Sequence, residues 1–223
     1  MSDLPDLEAE AEQDGTLSSG RAAVGDYPAD LALDVDLGGG TRLHVRPIRP
    51  DDAERLIDAH QHLSLTTVYR RYFSAHPHLS PEEVEHFTNV DYSNRLALIA
   101  LDGDQLVAVG RYDRLPDTDD AEIAFLVADQ YQRRGIGALL LKQLAAAALR
   151  NGITTFIADT LVDNTGMMKV FRNSGFPVTS SLDQGVVSVR FPIVPEAAAR
   201  SAPEERSIQT DDSARRSEDE PRC

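Results

Sequence analysis

The spacing of apolar residues predicts a series of strands in the middle of the chain. Leu43 and Val45 alternate with polar residues just after three glycines, which indicates a first strand following a tight turn. Two longer apolar segments flank an Asp-Gly pair, the strongest short signal for a hairpin. The predicted strands lie near residue 43 and at 95–101, 105–115, 121–129, 153–161 and 185–193.

Helical periodicity and end signals alternate with these strands. In the segment after Leu79, Ser80 precedes Pro81 and is followed three residues later by Glu83, which predicts a capping box. The predicted helices are 49–64, 65–74, 80–87, 135–150 and 164–176. Early antiparallel hairpins followed by a late strand–helix–strand–helix unit indicate an α+β (mixed α/β) domain built on one central sheet.

Charge divides the chain into three parts. The net charge is −15, and residues 1–40 contribute ten acids against one arginine. Apolar residues are sparse at both ends, and such segments usually remain solvated and disordered. We therefore expect a disordered acidic segment at 1–35, a folded domain at 36–194 and a disordered tail at 195–223, with an acidic docking arm as the alternative for the tails.

Composition excludes several classes of function. The folded part has no cluster of five or more basic residues, which argues against nucleic acid as a partner. The only cysteine is Cys223, so neither an internal disulfide nor a thiolate metal site is expected. The N-terminus lacks the apolar core of a secretory signal, and no apolar run approaches the ~18 residues of a membrane helix. We expect a cytoplasmic protein that makes no membrane contact.

The histidines do not predict a metal site. His60 and His62, like His76 and His78, are two residues apart, and residues at that spacing do not share a helix face. No cysteine or acidic ligand set accompanies them in a familiar spacing.

The segment QRRGIG, residues 132–137, carries the clearest chemical signal. A helix N-terminus presents unsatisfied N–H groups and a partial positive charge, glycines let an anion approach the backbone, and arginines add charge. The segment fits a pyrophosphate site, although a plain tight turn would also explain two spaced glycines. It is not a P-loop, because no Gly-Lys-Ser/Thr follows, and it lacks the third glycine of the dinucleotide fingerprint.

In its context this segment resembles the acetyl-CoA motif of the GNAT acyltransferases, Arg/Gln-x-x-Gly-x-Gly/Ala after a strand. Asn164 and the pair Gly175-Phe176 match that family's last helix at the usual spacing, and the likeness covers residues 41–194. The resemblance implies a GNAT-like fold with a central, mostly antiparallel twisted sheet of six to seven strands flanked by about four helices. It also implies acetyl-CoA as co-substrate, with no metal.

The resemblance further implies which residues bind acetyl-CoA. Strand 121–128 should diverge from its neighbour and leave backbone groups of Leu126 and Val127 free for the pantetheine arm. Asn164 should contact the cofactor, with Arg172 beside it, although helix N-capping is the plain alternative for Asn164. The pyrophosphate should lie on Gln132, Arg133, Arg134, Gly135, Ile136, Gly137 and Ala138.

One position departs from the family pattern. Many members carry a tyrosine seven residues after the asparagine, as general acid for the departing thiolate, and this chain has Phe171 there. We therefore assign no general acid. The thiolate leaves either unaided, since a thiol pKa lies near ~8.5, or with a proton from water or another group.

A finer resemblance is to the catalytic domain of bacterial Pat-type protein lysine acetyltransferases, carried by VRPIRPDDAERL, LTTVYRRYF and AEIAFLVADQYQRRGIG among other stretches. In some relatives this domain is fused to a cyclic-nucleotide-binding domain, for which segment 1–35 is too short. The resemblance places the catalytic glutamate at Glu122, and a partly desolvated carboxylate there could take the lysine proton. The alternative for Glu122 is an ordinary edge-strand acid.

These resemblances imply three candidate functions. The leading one is acetyl transfer from acetyl-CoA to lysines of proteins, with acyl-CoA synthetases, above all acetyl-CoA synthetase, as partners. The second keeps the reaction but takes a small amine as acceptor. The third is a regulatory module that binds acyl-CoA without turnover. The sequence specifies no oligomeric state.

Overall fold

The computed structural model describes residues 26–194. These residues form one eight-stranded sheet, against which five α-helices pack. The strands are Leu33–Asp36 (β1), Arg42–Pro47 (β2), Arg95–Asp102 (β3), Gln105–Arg114 (β4), Asp120–Val127 (β5), Thr155–Leu161 (β6), Thr179–Asp183 (β7) and Val186–Pro192 (β8). The helices are Ala53–Gln61 (α1), Leu65–Tyr72 (α2), Pro81–Thr88 (α3), Ile136–Arg150 (α4) and Thr165–Arg172 (α5). Short 3₁₀ turns cover Ala29–Leu31, Pro50–Asp52 and Asp129–Tyr131.

The strand order is β1-β2-β3-β4-β5-β6-β8-β7. Every neighbouring pair is antiparallel except β5 and β6, which are parallel. The mostly antiparallel α+β fold that the sequence predicts is therefore confirmed. The Asp-Gly hairpin is confirmed as well, since Asp102 pairs with Gln105 across a turn in which Gly103 has a φ of 58°.

Helices cover both faces of the sheet near its centre. Gly110 of β4 allows the close approach of α4, because an added Cβ would lie 3.1 Å from the Leu140 Cβ. Phe125 of β5 points to this same face and meets Phe171 of α5 edge to face. Helices α1 to α3 cover the opposite face, so the central strand β3 is buried on both sides and reads as a continuous apolar run.

The predicted helices are all present, one more than the resemblance implied. The capping box at α3 is confirmed: the Glu83 backbone N–H donates to Ser80 Oγ, and the Ser80 N–H donates to the Glu83 carboxylate. Helix α2 begins with a Ser64 cap that accepts a hydrogen bond from the Thr67 N–H.

The expected boundary of the folded part at residue 36 is wrong, because ordered structure begins before it. Leu31 is buried, strand β1 pairs with β2, and the Tyr27 hydroxyl donates to the Pro47 carbonyl. Few apolar residues make these contacts, and their spacing in the sequence is too irregular to give the apolar periodicity of a strand or a helix. The predictions for residues 1–25 and 195–223 lie outside the described residues.

Strand β7 was not predicted, and with β1 it brings the sheet to eight strands instead of six or seven. All five residues of β7 are exposed, so the segment lacks the apolar alternation by which half-buried strands are read from sequence. Its pairing with β8 forms the second edge of the sheet.

Candidate active site

The sheet opens between β5 and β6. The two strands pair only from Asp120 to Glu122, opposite Thr155 to Ile157. On its other side β5 stays paired with β4 as far as Val127. The last five residues of β5 therefore border a wedge with no strand on its far side, which is the divergence that the sequence resemblance implied.

Strand alternation determines which backbone groups of β5 border the wedge. The Ala128 N–H donates to the Val107 carbonyl of β4, so Leu126, two residues earlier, also directs its backbone groups toward β4, opposite Val109. Phe125 and Val127 direct theirs into the wedge. The expectation that Leu126 has free backbone groups is therefore wrong, and Phe125 takes its place with Val127.

Helix α4 begins at the wide end of the wedge and presents uncapped N–H groups. Gly135 occupies the N-cap with a φ of 86°, and within the described residues no side chain caps this end. The first helical N–H to find a carbonyl within the helix is that of Leu139, which donates to Gly135. The N–H groups of residues 136–138 are left for another acceptor, and the partial positive charge of the helix end favours an anion.

The predicted arginines lie on either side of this helix end. Arg133 is exposed and has a φ of 60°, which tightens the turn into the helix. Arg134 is also exposed and is held by a 2.8 Å hydrogen bond to Thr41 Oγ1, with its guanidinium over the Tyr131 ring. Both cations are thus available to an anion bound at residues 136–138.

The Gln132 side chain links the end of β5 to helix α2 at the border of the wedge. Its amide nitrogen donates to the Val127 carbonyl, at 3.1 Å, and to Thr67 Oγ1, at 3.0 Å. The neighbouring Asp129 carboxylate accepts hydrogen bonds from Ser64 and Thr67 at the start of α2. Burial raises the pKa of Asp129, but these hydrogen bonds outweigh it and hold that pKa below its usual value.

Sequence reasoning missed this link between α2 and the β5–α4 turn. Its signal was present as an acid directly after the strand and a Ser-x-x-Thr cap before α2. No spacing rule joins two segments that lie 65 residues apart. Gln132, predicted to hold phosphate, has its amide nitrogen committed to the protein.

The last helix supplies the remaining predicted positions. Asn164 caps α5, with its side-chain oxygen accepting from the Met167 N–H, so the capping alternative is present in the structure. Arg172 is exposed at the far end of the helix. Phe171 is 1% exposed and packs against Phe191, so this position serves the core.

Glu122 lies where the wedge begins. It is the last β5 residue that pairs with β6, and its side chain is exposed, whereas Ile123 beside it is buried on the opposite face. The expected partial desolvation of this carboxylate is therefore absent in the free protein. Glu122 lines an open groove of about 450 Å³, which is otherwise formed by both polar and apolar residues of β6, β7 and β8, with Ile157 and Val189 among the apolar ones.

Residues 26–194 contain no group of three or more His, Cys, Asp or Glu side chains arranged to hold a metal ion. None of the helices described there is long and apolar enough to cross a membrane.

Comparison with known sequences places this site in context. Residues 62–176 match the model of the acetyltransferase (GNAT) family. The acetyltransferase Pat of Mycolicibacterium smegmatis is 31% identical over 77% of this chain, and the chain spans about half, 52%, of that protein's length. The acetyltransferase PA5475 of Pseudomonas aeruginosa is 30% identical, with 74% of this chain and 88% of that protein aligned.

Solved structures agree with the sequence matches. The GNAT domain of S. lividans PAT aligns with a TM-score of 0.70 and 39% identity, covering 75% of this chain and 99% of that domain. A cAMP-binding acyltransferase from Mycobacterium smegmatis aligns with a TM-score of 0.53 and 27% identity, over 74% of this chain and 48% of the other. The family match at residues 62–176 includes the wedge and the start of α4.

Proposed function

Because the chain belongs to the acetyltransferase (GNAT) family, we propose that it transfers the acetyl group of acetyl-CoA to the ε-amine of lysines on proteins. The co-substrate supplies a thioester carbonyl activated toward amines. The uncapped N–H groups at residues 136–138 fit its pyrophosphate, and Arg133 and Arg134 add positive charge. The backbone of Phe125 and Val127 fits the amides of its pantetheine arm.

Asn164 and Arg172 complete the proposed cofactor site. Asn164 uses its oxygen for capping, which leaves its amide NH₂ as a donor. The two roles that the sequence left open for Asn164 are therefore compatible. Arg172 lies exposed on α5 and offers its guanidinium to a phosphate of the nucleotide end.

We propose Glu122 as the general base. A lysine ammonium, with a pKa near ~10.4, attacks no carbonyl until it loses a proton, and a carboxylate at the mouth of the wedge can accept that proton directly or through water. A docked protein surface would remove water from Glu122 and so supply the desolvation that the free protein lacks. Phe171 has no proton to give, so the thiolate leaves as a group of modest basicity.

The exposure of Glu122 in an open groove is the observation that supports a protein as acceptor. A lysine on the surface of a folded partner can reach a base placed at the surface, whereas a small amine needs a pocket that encloses it. The Pat-type resemblance favours acyl-CoA synthetases, above all acetyl-CoA synthetase, as partners. Such partners, together with the acyl-CoA that the proposed transfer consumes, would place the protein in the cytoplasm.

The test is to incubate the protein with acetyl-CoA and either acetyl-CoA synthetase or a panel of polyamines, aminoglycosides and amino acids. Thiol release reports turnover, and peptide mass spectrometry locates acetyllysine. Acetyllysine on the synthetase, formed by the native protein and lost with Glu122→Gln, is the expected result. Turnover with small amines alone would show that the acceptor is a small amine and not a protein lysine. Acetyl-CoA binding without any turnover would favour the regulatory module.

A further inference from the structure

A small, partly open cavity lies next to the proposed acyl-transfer site, on the face of the sheet that α1 to α3 cover. Its volume is about 40 Å³, room for about three water-sized groups. Ala124 and Leu126 of β5 form one wall, adjacent to the wedge where the thioester would bind, and Leu56 and Leu79 form part of the apolar remainder. An acyl chain longer than acetyl could extend into this space.

Four side chains with polar atoms also line the cavity, the three used here being His60, Arg71 and Arg111 and the fourth Tyr72. His60 is only 4% exposed, and within residues 26–194 neither of its ring nitrogens has a hydrogen-bond partner. Burial, reinforced by the charge of His76, lowers the pKa of His60, so its ring is neutral near pH 7. A neutral imidazole carries one donor, and leaving that donor unsatisfied in an apolar cavity costs free energy.

Two arginines are the charged groups of the cavity lining. Arg71 of α2 forms no ion pair with any described residue, and burial, followed by the charge of Arg111, lowers its pKa to about 10. Arg111 of β4 has its Nε 3.4 Å from Asp113 Oδ2, an ion pair whose geometry makes no hydrogen bond, because this buried Nε has no hydrogen-bond partner among the described residues. Among the described residues, Arg71 therefore has no carboxylate partner, whereas Arg111 has a charge partner but an unsatisfied N–H.

The described acids around the cavity form no ion pair with Arg71. Asp113 pairs with Arg95 at 3.2 Å and with Arg111 at 3.4 Å. Glu83, whose charge acts on His60, lies 3.0 Å from His76. The charge of Glu122 acts on Arg71 without an ion pair. A carboxylate inside the cavity would give Arg71 an ion pair and could accept hydrogen bonds at its four lone-pair positions.

We propose that this cavity accepts an acyl group that ends in a carboxylate, so that succinyl-CoA is a donor substrate of the enzyme. The inference rests on the proposed function, because it takes the thioester to lie in the wedge beside Leu126. The distal carboxylate, whose three heavy atoms match the room for about three water-sized groups, would pair with Arg71 and accept from His60, with the Arg111 N–H as a further donor. The methylene groups would lie between the wedge and the Leu126 side of the cavity. A neutral chain of the same length leaves Arg71 without an ion pair and His60 without a hydrogen-bond partner.

The bonds and protons in succinyl transfer balance as they do in acetyl transfer. The lysine ammonium gives one proton to Glu122, its nitrogen forms a bond to the thioester carbon, and the carbon–sulfur bond breaks. The nitrogen's second proton ends on the CoA thiolate, either directly or through water. The products are a succinylated lysine, free CoA thiol and one proton released from Glu122 to solvent.

The experiment compares succinyl-CoA with butyryl-CoA, which has the same four-carbon chain and no carboxylate. We expect kcat/KM for succinyl-CoA to exceed that for butyryl-CoA by ~10- to 100-fold, the effect of a charge-assisted hydrogen bond in a desolvated site. Arg71→Met should remove that preference, while Arg42→Met, an exposed arginine on β2, should retain it. Arg71→Lys keeps the charge but not the fork, so it should retain part of the preference.

Binding of free CoA distinguishes failure of the cavity proposal from failure of the proposed function. CoA binding, measured by calorimetry, should be equal in all variants, which also shows that they fold. If CoA and acetyl-CoA bind and react but succinyl-CoA has no advantage over butyryl-CoA, or if Arg71→Met leaves the advantage intact, the cavity proposal is wrong. If CoA does not bind at all, the proposed function itself fails.

Discussion

Glu122 shows how much the position of one residue contributes to a site. It is the last residue of β5 to pair with β6, and its side chain faces an open groove that nothing in the described chain covers. A carboxylate at this position needs no desolvation in the free protein. The proton that it accepts comes from the lysine ammonium of the partner, and the docked partner surface itself excludes water from Glu122. The residue would then be active only in the complex.

Replacing Glu122 by glutamine keeps the size of the side chain but removes its ability to accept a proton. Turnover near neutral pH should fall by ~10²- to 10⁴-fold, the usual contribution of general-base catalysis. Acetyl-CoA affinity should barely change, and a higher pH should recover part of the loss because more lysine arrives neutral. Steady-state kinetics from pH 7 to 10 and calorimetry check both points, with the exposed Glu54→Gln on α1 as control.

An unchanged rate in Glu122→Gln would make this residue an ordinary edge-strand acid. Lost acetyl-CoA binding would mean that the substitution had damaged the site. A rate that stays low at every pH would contradict the role of proton acceptor and favour a role in positioning the acceptor.

At the residue scale, the sequence indicates motif positions better than cavity positions. Glu122 and the glycines of the β5–α4 turn could be proposed as site residues from the sequence, because a local motif contains them. His60, Arg71 and Arg111 come from α1, α2 and β4, and each looks like an ordinary polar residue in its own segment. Only the packing of those three elements makes them neighbours, and no one-dimensional spacing expresses that.

Helix α4 is the element on which we propose that cofactor binding depends. Its first turn contains no acid and, among the described residues, receives no side-chain cap, although α2 and α3 are both capped by serines. A helix end left in this state costs stability that a bound anion can restore. The element is thus organised for a ligand more than for its own stability.

Placing an acid at Ala138 tests this interpretation with two effects of opposite sign. Ala138→Glu puts a negative charge in the first turn, which should stabilise the free protein by about 0.3–1 kcal/mol at low salt. The same charge should repel the pyrophosphate and weaken CoA binding by at least tenfold. Thermal denaturation and calorimetry measure the two effects, with Ala138→Gln as the uncharged control; a variant that gained stability and bound CoA normally would place the pyrophosphate elsewhere.

Elements differ in how far the sequence predicts them. The five helices carry caps, periodic apolar faces or both, and β3 and β4 carry a turn signal and long apolar runs. Strand β7 has none of these, because all its residues are exposed and only its pairing with β8 orders it. The choice of Phe125 over Leu126 at the wedge likewise depends on register, which pairs Leu126 with Val109 and which no apolar pattern records.

On the scale of the whole molecule, we propose that the functional unit is the part at residues 26–194. A chain restricted to these residues should unfold at the same temperature as the full chain and bind acetyl-CoA equally well. A chain that begins at residue 37 should melt lower, because it loses β1 and the buried Leu31. Thermal denaturation with and without acetyl-CoA compares the three, and a large loss in the 26–194 chain would give the terminal segments a role in folding or binding.

The opening between β5 and β6 also bears on how the protein moves. Three residue pairs join the half of the sheet that ends at β5 to the half that begins at β6. The amide protons of Phe125 and Val127 should therefore exchange rapidly with deuterated solvent in the free protein, even though they lie in a central strand. A pantetheine arm that accepts and donates along β5 would act as the missing strand and slow that exchange, so that the substrate itself completes the sheet and couples its two halves.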